Sequence, residues 1–390
     1  MNDRDKSLTA AAAKKKVLIV GAGIGGLATA IALRQAGFEV DVYEDAVALR
    51  GTGAGISLWS NATAVLDKLG LLQETLDKSA VFTQLEIRDE RGARLTRAEI
   101  GKYAPPAVCI HRADLIDLLQ RHCAPQTIHL SKTFERFEQT DADVAAFFAD
   151  GTRATGDVLI GADGINSRVR AQIKGDAKPI YRGYVIWRGT VEFETKDFDA
   201  SCPIETWGAG KRFGLVPLGK NRFYWYAARN QPEGKTLRAA ERKTQLLKFF
   251  HDWHAPVPQI IEATTAENIL HNDCYDRPPE PDWSTGRVCL IGDATHATTP
   301  NMGQGGCLAL EDALVLSRCL QNASAPEDAF WEFERLRFPR TKFINRRSLL
   351  IGRVGQWQNP LAVRLRNILT RCATQKSLER SFDSVYRYEA

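Results

Sequence analysis

A glycine motif near the start of the chain has the spacing of a dinucleotide-binding turn. Gly21, Gly23 and Gly26 form a G-x-G-x-x-G pattern after four consecutive apolar residues, 17–20, and before a run of small residues. The first glycine would turn the chain tightly, the second would let the backbone approach a pyrophosphate, and the third would bring helix close to strand. The pyrophosphate would rest on free N–H groups at the helix N-terminus. The alternative is a glycine-rich turn that holds no nucleotide.

A carboxylate lies at a suitable distance beyond this motif. Residues 39–44 alternate like a second strand, and Glu44 comes 18 residues after Gly26, near the roughly 20 residues typical of such motifs. The Glu44 carboxylate can accept hydrogen bonds from a ribose 2′-hydroxyl and would repel a 2′-phosphate. The motif and the acid together predict that this region binds the adenosine half of a dinucleotide.

Two later apolar strands also end in polar residues. Residues 157–161 lead into Asp163 and Gly164, with Ser167 and Arg170 at three-residue steps. On its own, this segment is consistent with a structural turn.

The other strand, residues 286–291, ends in Gly292 and Asp293, and a glycine-rich loop around Pro300 precedes a helix. An aspartate at a strand end can hold a ribityl hydroxyl, and glycine N–H groups at a helix start present positive charge to an electron-rich ring. A plain connection would not need so many glycines.

Residues 180–230 are rich in aromatic side chains. They are Tyr181, Tyr184, Trp187, Trp207, Phe213, Phe223, Tyr224, Trp225 and Tyr226. Aromatics at alternating positions in short strands indicate a sheet with one face toward a flat apolar ligand. Packing within the core of the sheet is the alternative.

Composition restricts the possible functions. The 390 residues carry 52 basic and 47 acidic side chains, a net charge of +5, with no basic run interleaved with aromatics, which disfavours nucleic-acid binding. The eight cysteines are widely spaced and no Cys/His spacing suits a metal, so we expect reduced thiols, no metal site and a cytoplasmic location. No apolar run approaches the length of a membrane span. Residues 1–14 are expected to be a disordered tail, and the basic C-terminal segment to cover the domain seam or form an oligomer face.

The three motifs together resemble those of the single-component FAD-dependent aromatic hydroxylases, over about residues 15–345. The resemblance implies an α/β fold: a Rossmann-like FAD-binding domain of the para-hydroxybenzoate hydroxylase type, an inserted antiparallel-sheet substrate domain and C-terminal helices. The FAD-binding domain would comprise residues 15–78, 105–178 and 280–345. The substrate domain would comprise residues 79–104 and 179–279, and residues 346–390 would form the helical segment.

The resemblance also implies a set of FAD-binding residues. They are Gly21, Gly23, Ile24, Gly25, Gly26, Glu44, Asp45, Arg50, Arg112, Asp163, Gly292, Asp293, Pro300, Gly303, Gln304, Gly305 and Gly306. In that family NADH or NADPH reduces FAD, and O₂ then gives a flavin C4a-hydroperoxide that hydroxylates an aromatic or heteroaromatic substrate. The single G-x-G-x-x-G is assigned to FAD, so the nicotinamide donor would bind transiently, to a monomer or homodimer.

The central region is similar to that of the FAD-dependent urate hydroxylases. The resemblance implies that Arg212 contacts the substrate and that Tyr224 lies beside it, in a pocket that also includes Trp187, Asn301 and Met302. The urate enzymes have an aspartate where this chain has Asn301. A phenolate or a hydroxylated N-heteroaromatic is therefore as consistent with the sequence as urate.

Other functions stay open at this stage. An alkene-epoxidising member, a flavoprotein reductase or dehydrogenase of the same fold, and a flavin-binding protein without turnover are the alternatives. His296, which follows Asp293 closely, is expected to order the loop and not to act as a general base.

Overall fold

The computed structural model describes residues 15–49, 53–175, 177–194, 199, 201–234, 237–388 and 390. The predicted tail and the candidate residue Arg50 lie outside the described residues. The strands are β1 (Lys16–Val20), β2 (Glu39–Tyr43), β3 (Gly55–Leu58), β4 (Ser79–Val81), β5 (Gln84–Asp89), β6 (Arg94–Glu99), β7 (Val108–His111), β8 (Ile128–His129), β9 (Phe134–Gln139), β10 (Val144–Phe148), β11 (Arg153–Gly156), β12 (Val158–Gly161), β13 (Ile180–Glu192), β14 (Ile204–Trp207), β15 (Lys211–Gly219), β16 (Arg222–Asn230), β17 (Leu270–Asp276), β18 (Ser284–Thr285) and β19 (Val288–Leu290). The helices are α1 (Ile24–Gln35), α2 (Ser60–Lys68), α3 (Leu72–Asp77), α4 (Arg112–His122), α5 (Arg168–Lys174), α6 (Ala239–Phe250), α7 (Val257–Ala263), α8 (Asp293–His296), α9 (Gly305–Asn322), α10 (Pro326–Gly355), α11 (Pro360–Arg371) and α12 (Gln375–Tyr386).

The first sheet brings the three sequence motifs to one edge. Its strand order is β18-β19-β12-β1-β2-β8, and every pairing is parallel except that of β18 with β19. The glycine motif follows β1, Asp163 follows the neighbouring β12, and Asp293 follows β19. Because the carboxyl ends of parallel strands meet at the same edge, ligands of such sheets bind there. This topology explains why residues far apart in sequence converge.

The second large sheet has the order β17-β13-β16-β15-β14-β5-β6, and its pairings are antiparallel except that of β14 with β5. One face packs under α6 and α7 in an apolar cluster that includes Phe213, Trp225 and Phe250. Side chains alternate along a strand, so the intervening residues of β13, β15 and β16 point to the opposite face. The predicted α/β fold with an additional antiparallel sheet is confirmed.

The long helix α10 is bound to α9 by buried ion pairs. Arg337 is fully buried; its Nη1 lies 2.6 Å from Glu311 Oε2 and its Nε lies 2.7 Å from Asp312 Oδ1. Arg340 binds the same glutamate, at 2.6 Å. Charged groups can be buried when they are paired and hydrogen-bonded. These two arginines of the basic C-terminal segment therefore stabilise the packing of α10 against α9. Within the described residues, every helix is too short or too polar to span a bilayer.

Candidate functional site

The turn between β1 and α1 is shaped by its glycines. A Cβ on Gly26 would lie 1.9 Å from the carbonyl oxygen of Gly21, so only glycine lets α1 come this close to the strand. Gly21 has φ +104°, and a Cβ there would meet Ala162 O at 2.5 Å. By contrast, a Cβ on Gly23 would have no atom within 4 Å. Gly23 caps α1 without any side-chain hydrogen bond, so the first N–H groups of the helix, including those of Ile24 and Gly25, face open space suited to a phosphate.

Glu44 lies directly beside this turn. Its Oε2 accepts a 2.7 Å hydrogen bond from the N–H of Ala22, and its Oε1 accepts one of 3.1 Å from the N–H of Ala46. Burial and a hydrogen bond with Asp45 raise the pKa of the Glu44 carboxyl, while the two N–H donors lower it. Asp45 itself is exposed. The carboxylate is therefore fixed next to the glycine turn, at the end of the neighbouring strand.

The Asp163 carboxylate accepts its hydrogen bonds from residues that follow it closely in the chain. It accepts hydrogen bonds from Ser167 Oγ at 2.5 Å, from the N–H of Arg168 at 2.8 Å and from the N–H of Val169 at 3.2 Å. Burial raises the pKa of the Asp163 carboxyl, and these donors lower it. The side chain thus caps the N-terminus of α5 and helps to hold the turn beside Gly21, and its contact with FAD stays a prediction.

Arg170 connects this second motif to the third. The arginine is buried, donates from Nη1 to the carbonyl oxygen of Ala294 at 3.1 Å, and pairs through Nη2 with Glu280 at 2.6 Å. The turn after β12 is therefore bound to the turn after β19, where Asp293 lies.

Asp293 and Arg112 are two charged side chains that interact at this edge. Both side chains keep contact with solvent, yet surrounding protein atoms perturb both groups. Burial raises the pKa of the Asp293 carboxyl, although the charges of His296 and Arg112 lower it. Burial lowers the pKa of Arg112, while the charge of Asp293 raises it and that of Arg188 lowers it. The strand end after β19 and the start of α4 therefore lie close enough for their charges to interact.

The loop before α9 supplies a second open helix start. Pro300–Met302 form a 3-10 turn, Gly303 has φ +61°, and the buried Gln304 caps α9 without a side-chain hydrogen bond to the helix. Gln304 Oε1 accepts from Asn61 Nδ2 at 3.0 Å, and its Nε2 is one of the buried atoms with no partner among the described residues. The first turn of α9 contains no acidic residue, so its N–H groups favour an electron-rich or anionic partner.

The glycines of α9 bring the two open helix starts together. A Cβ on Gly306 would lie 2.8 Å from Ile56 Cδ1 and 3.9 Å from Ile24 Cδ1, the first residue of α1. A Cβ on Gly305 would lie 4.0 Å from Asp293 Oδ1. The positive ends of α1 and α9 and the Asp293 carboxylate therefore belong to one site.

His296 is buried near Asp293. Its Nε2 lies 2.6 Å from Asp312 Oδ2, which also accepts from the N–H of Gly292 at 2.9 Å. Burial raises the pKa of Asp312, but the charges of His296 and Arg337 outweigh it and hold that pKa well below its usual range. The histidine thus helps to fix the turn at Gly292, as expected for a residue that orders the loop.

Trp187 is not in the pocket, which corrects the prediction from sequence. It is fully buried and stacks on His271 with a centroid distance of 4.9 Å and an interplanar angle of 28°, in the apolar cluster beneath α6 and α7. Its strand partner is Ala227, which belongs to the same cluster. Arg212 pairs instead with Ala228, the next residue along β16, and so lies on the opposite face.

Tyr224 lies on the face opposite to Trp187. A Cβ on Gly55 would lie 2.5 Å from Tyr224 Cβ, so the tyrosine packs tightly against β3. Burial raises the pKa of Tyr224 to about 12, although a hydrogen bond and the charge of Arg188 lower it. Arg188 was not predicted as a site residue. Its position four residues after Tyr184 on β13 could have indicated it, because residues an even number of positions apart on a strand lie on the same face.

Arg212 is held by three partners. Its Nη2 donates to Asn301 Oδ1 at 2.6 Å, Nε donates to Gln356 Oε1 at 3.1 Å, and Nη1 pairs with Glu205 at 3.2 Å. Burial lowers the pKa of the Arg212 guanidinium, but nearby groups, above all the charge of Glu205, raise it, and the net shift is upward. The guanidinium is 3 % exposed, so it contributes to the wall of the site and does not project freely from it.

Asn301 is the centre of this network. Its Nδ2 donates to Thr299 Oγ1 at 2.8 Å and to the carbonyl oxygen of Ser348 at 3.0 Å, and lies 3.1 Å from Tyr184 Oη. A guanidinium on one side and a carbonyl on the other fix the orientation of the amide. The neighbouring Met302 is partly buried against the main core.

The second half of α10 packs against Arg212 and Asn301 and completes this wall of the site. This contribution of α10 was not predicted from the sequence. A Cβ on Gly352 would lie 2.3 Å from Asn301 Nδ2, and a Cβ on Gly355 would lie 3.0 Å from Arg212 Cδ. A groove of about 250 Å³ opens beside them. Its lining residues are Tyr181, Arg182, Tyr184, Asn301, Leu349, Gly352, Arg353 and Gln356. The two glycines, spaced three residues apart within a helix, were the available signal for close packing.

These features fit FAD. Free N–H groups at Gly23 suit a pyrophosphate, Glu44 at the end of the next strand suits a ribose, and Asp293 suits a ribityl hydroxyl. The open start of α9, with its unpartnered Gln304 Nε2, suits the electron-rich edge of an isoalloxazine ring.

Comparison with known proteins agrees with this geometry. Residues 14–329 match the family described as FAD binding domain. The chain is 38 % identical over 359 residues to aurachin C monooxygenase/isomerase from Stigmatella aurantiaca, covering 91 % of this chain and 93 % of that protein. It is 33 % identical over 339 residues to an FAD-dependent urate hydroxylase from Klebsiella pneumoniae, covering 84 % and 87 %.

Among solved structures, Klebsiella pneumoniae HpxO complexed with FAD and uric acid superposes with a TM-score of 0.90 at 28 % identity, covering 96 % of this chain and 97 % of that one. A match over most of the chain, with relatives above 30 % identity, places the protein in one family. The chain belongs to the FAD binding domain family and is an FAD-dependent monooxygenase of the aromatic hydroxylase group.

Proposed function

We propose that this monooxygenase uses NADH or NADPH and O₂ to hydroxylate a phenolate or a hydroxylated N-heteroaromatic compound. The observation that carries the proposal is the convergence of the starts of α1 and α9 on the exposed Asp293, whose charge interacts with that of Arg112. Arg188, which also acts on Arg112, interacts with Tyr224 on the adjoining sheet face. FAD would supply hydride acceptance and dioxygen activation there. The donor would bind transiently, because the chain has one dinucleotide motif.

One group of residues would bind the cofactor, and a second group would bind the substrate. Gly21, Gly23 and Gly26 would hold the pyrophosphate, Glu44 the ribose, and Asp293 the ribityl chain. Gly303, Gly305 and Gly306 would let the start of α9 stabilise negative charge on the flavin ring. We assign to Asp163 the holding of the turn, and not direct contact with the cofactor, because its carboxylate already accepts three local hydrogen bonds.

The substrate would lie between this edge and the sheet. Tyr224 is a neutral hydrogen-bond donor at physiological pH, since its pKa is raised to about 12, and Arg188 would favour an oxygen-bearing or anionic ring. Arg212 would act mainly as a positioning residue, because each of its nitrogens already donates within the protein.

The test is turnover by purified, flavin-loaded protein. NADH and NADPH oxidation is measured with phenolic acids, hydroxypyridines, hydroxyquinolines and urate, while hydroxylated product and hydrogen peroxide are both quantified. A member of the panel that raises donor oxidation at least about tenfold, with product matching the donor consumed, supports the proposal. Peroxide alone with every compound would instead identify a reductase or dehydrogenase. Oxidation that never exceeds free flavin would identify a flavin-binding protein without turnover.

Two coarser features complete the proposal. We infer a division into an FAD-binding part and a substrate part, with β5 and β6 belonging to the substrate part because they extend the sheet that contains β13–β17. We also propose a cytoplasmic location and a monomer or homodimer. Free thiols on all eight cysteines are consistent with a reducing compartment, and light scattering of the holoenzyme measures the oligomeric state.

A further inference from the structure

Helix α11 presents an apolar face to solvent. Leu361, Leu365, Ile368 and Leu369 are 79, 52, 47 and 59 % exposed, and their spacing places them on one side of the helix. Single exposed leucines are ordinary on protein surfaces, whereas a continuous apolar stripe marks an interaction surface. We call these four side chains the α11 face.

The opposite side of α11 is fixed to the protein. Arg366 is 2 % exposed and donates from Nη1 to the carbonyl oxygens of Gly208 at 3.2 Å and Gly355 at 3.1 Å. Its guanidinium also lies 5.3 Å from the centroid of the Trp207 ring. These contacts determine which side of the helix faces outward, so the α11 face is presented by a helix anchored to the substrate sheet.

Basic residues predominate in the segment that contains the α11 face. Residues 335–378 contain eleven lysines and arginines and no aspartate or glutamate, and four of these arginines pair with carboxylates of other segments: Arg335, Arg337, Arg340 and Arg371. Arg346, Arg353 and Arg364 are exposed, and within the described part of the chain none of the three has a carboxylate within 4 Å. Arg364 comes directly before Leu365, on the flank of the apolar stripe.

We propose that the α11 face docks on an anionic lipid surface. A helix that lies in a membrane interface combines an apolar stripe with flanking arginines that reach acidic headgroups. A second copy of the chain fits less well, because a symmetric contact would bring the exposed Arg364 and Arg353 of both copies together, and neither has a carboxylate within 4 Å among the described residues. A polyanion such as a nucleic acid would use the arginines but would gain nothing from four exposed leucine and isoleucine side chains.

The test is co-sedimentation of the full-length, flavin-loaded protein with lipid vesicles. We expect the partition coefficient on vesicles of phosphatidylcholine mixed with phosphatidylglycerol to exceed that on phosphatidylcholine alone by at least about tenfold, and to fall with added salt. The triple variant Leu365→Ser, Ile368→Ser, Leu369→Ser should lose at least about tenfold in binding. Arg364→Gln should lose about fivefold, as expected for one basic residue at the surface.

The matched control is Trp331→Ser. Trp331 is 66 % exposed but lies 24 residues before Gly355 on α10, where Arg366 attaches α11, about 36 Å away along the helix axis, and its loss should leave binding unchanged. Flavin content and melting temperature verify that each variant is folded, and both are independent of turnover. Absent vesicle binding, or equal binding by the triple variant, overturns the proposal. A dimer in solution that the triple variant dissociates also overturns it and assigns the face to a second copy.

Discussion

Replacing Asn301 with aspartate removes the donors at the centre of the substrate wall. The change is nearly isosteric, yet Nδ2 now donates to Thr299 Oγ1 and to the carbonyl oxygen of Ser348 at 3.0 Å. A carboxylate oxygen in place of that nitrogen would face the carbonyl dipole with its negative charge. The new carboxylate would gain a charged contact with Arg212, but that guanidinium already pairs with Glu205.

The magnitude follows from these contacts. Two lost hydrogen bonds are worth about 1 kcal/mol each, and a buried carboxylate oxygen against a carbonyl costs about 1–3 kcal/mol. The stronger bond to Arg212 returns about 1 kcal/mol, so Asn301→Asp should lower the free energy of unfolding by about 3 kcal/mol at pH 8. Taking about 2.1 cal/mol/K per residue as the unfolding entropy, this corresponds to a fall of about 4 °C in melting temperature.

The deficit should depend on pH in a defined direction. The charge of Arg212 favours ionisation of the introduced carboxyl, but that charge is already paired with Glu205. The carbonyl of Ser348 and the charge of Glu205 disfavour ionisation and, with the magnitudes above, outweigh Arg212, so the pKa of the carboxyl in the folded protein would lie above the value of about 3.9 in the unfolded chain. The destabilisation is therefore complete above the folded pKa and is lost as pH falls through it, because the protonated carboxyl can donate to Ser348. The melting-temperature gap between wild type and variant should narrow from pH 8 to pH 5.

The assay is differential scanning fluorimetry across that pH range, with Asn367→Asp as the matched control. Asn367 Oδ1 accepts a 3.0 Å hydrogen bond from Arg366 Nε, so a carboxylate there keeps its donor and should not lower the melting temperature. An Asn301→Asp protein as stable as wild type at every pH, or one whose gap widens as pH falls, would refute the assigned amide orientation and the reasoning built on it.

Three further substitutions test other parts of the site. Asp293→Asn should weaken FAD binding about ten- to a hundredfold through loss of charged hydrogen bonds, measured by flavin titration. The melting temperature of the apoprotein should not fall, because burial raises the pKa of Asp293 and so disfavours its ionised form in the folded protein. Tyr224→Phe should lower turnover of the best substrate about ten- to a hundredfold with flavin content unchanged. Because burial raises the pKa of Tyr224 to about 12, the pH profile of the wild type should show no loss of activity assignable to this residue below about pH 11. Equal turnover by the variant and the wild type would place the substrate elsewhere. Arg337→Ala removes one charged partner from each of the buried carboxylates of Glu311 and Asp312 and should lower stability by about 3–5 kcal/mol, measured by urea unfolding.

The cofactor edge could be predicted largely from sequence because its geometry is local. Gly21, Gly23 and Gly26 follow a buried strand directly, and the parallel pairing of β1 with β12 and β19 with β12 makes three strand ends converge. The role of Asp163 was harder to predict, since a carboxylate after a strand can bind a ligand or close the next helix. The capping partner Ser167 was visible in the sequence, and its bond to Asp163 indicates the second role.

The substrate wall could not be predicted because its contacts are distant in sequence. Arg212 binds Asn301, 89 residues away, and Gln356, 144 residues away, and no local pattern encodes such pairs. Trp187 was assigned to the wrong face because aromatic density alone does not fix strand parity. Pairing with Ala227 decides the face, and that register depends on the whole sheet.

Gly352 and Gly355 touch Asn301 and Arg212 from a helix that extends beyond residue 329, where the family match ends. The close approach of this helix to the substrate wall therefore depends on two positions outside the region that defines the flavoprotein family. A larger side chain at either position would have to displace Asn301 or Arg212, so the shape of the wall is set in part by a segment that carries none of the flavin motifs.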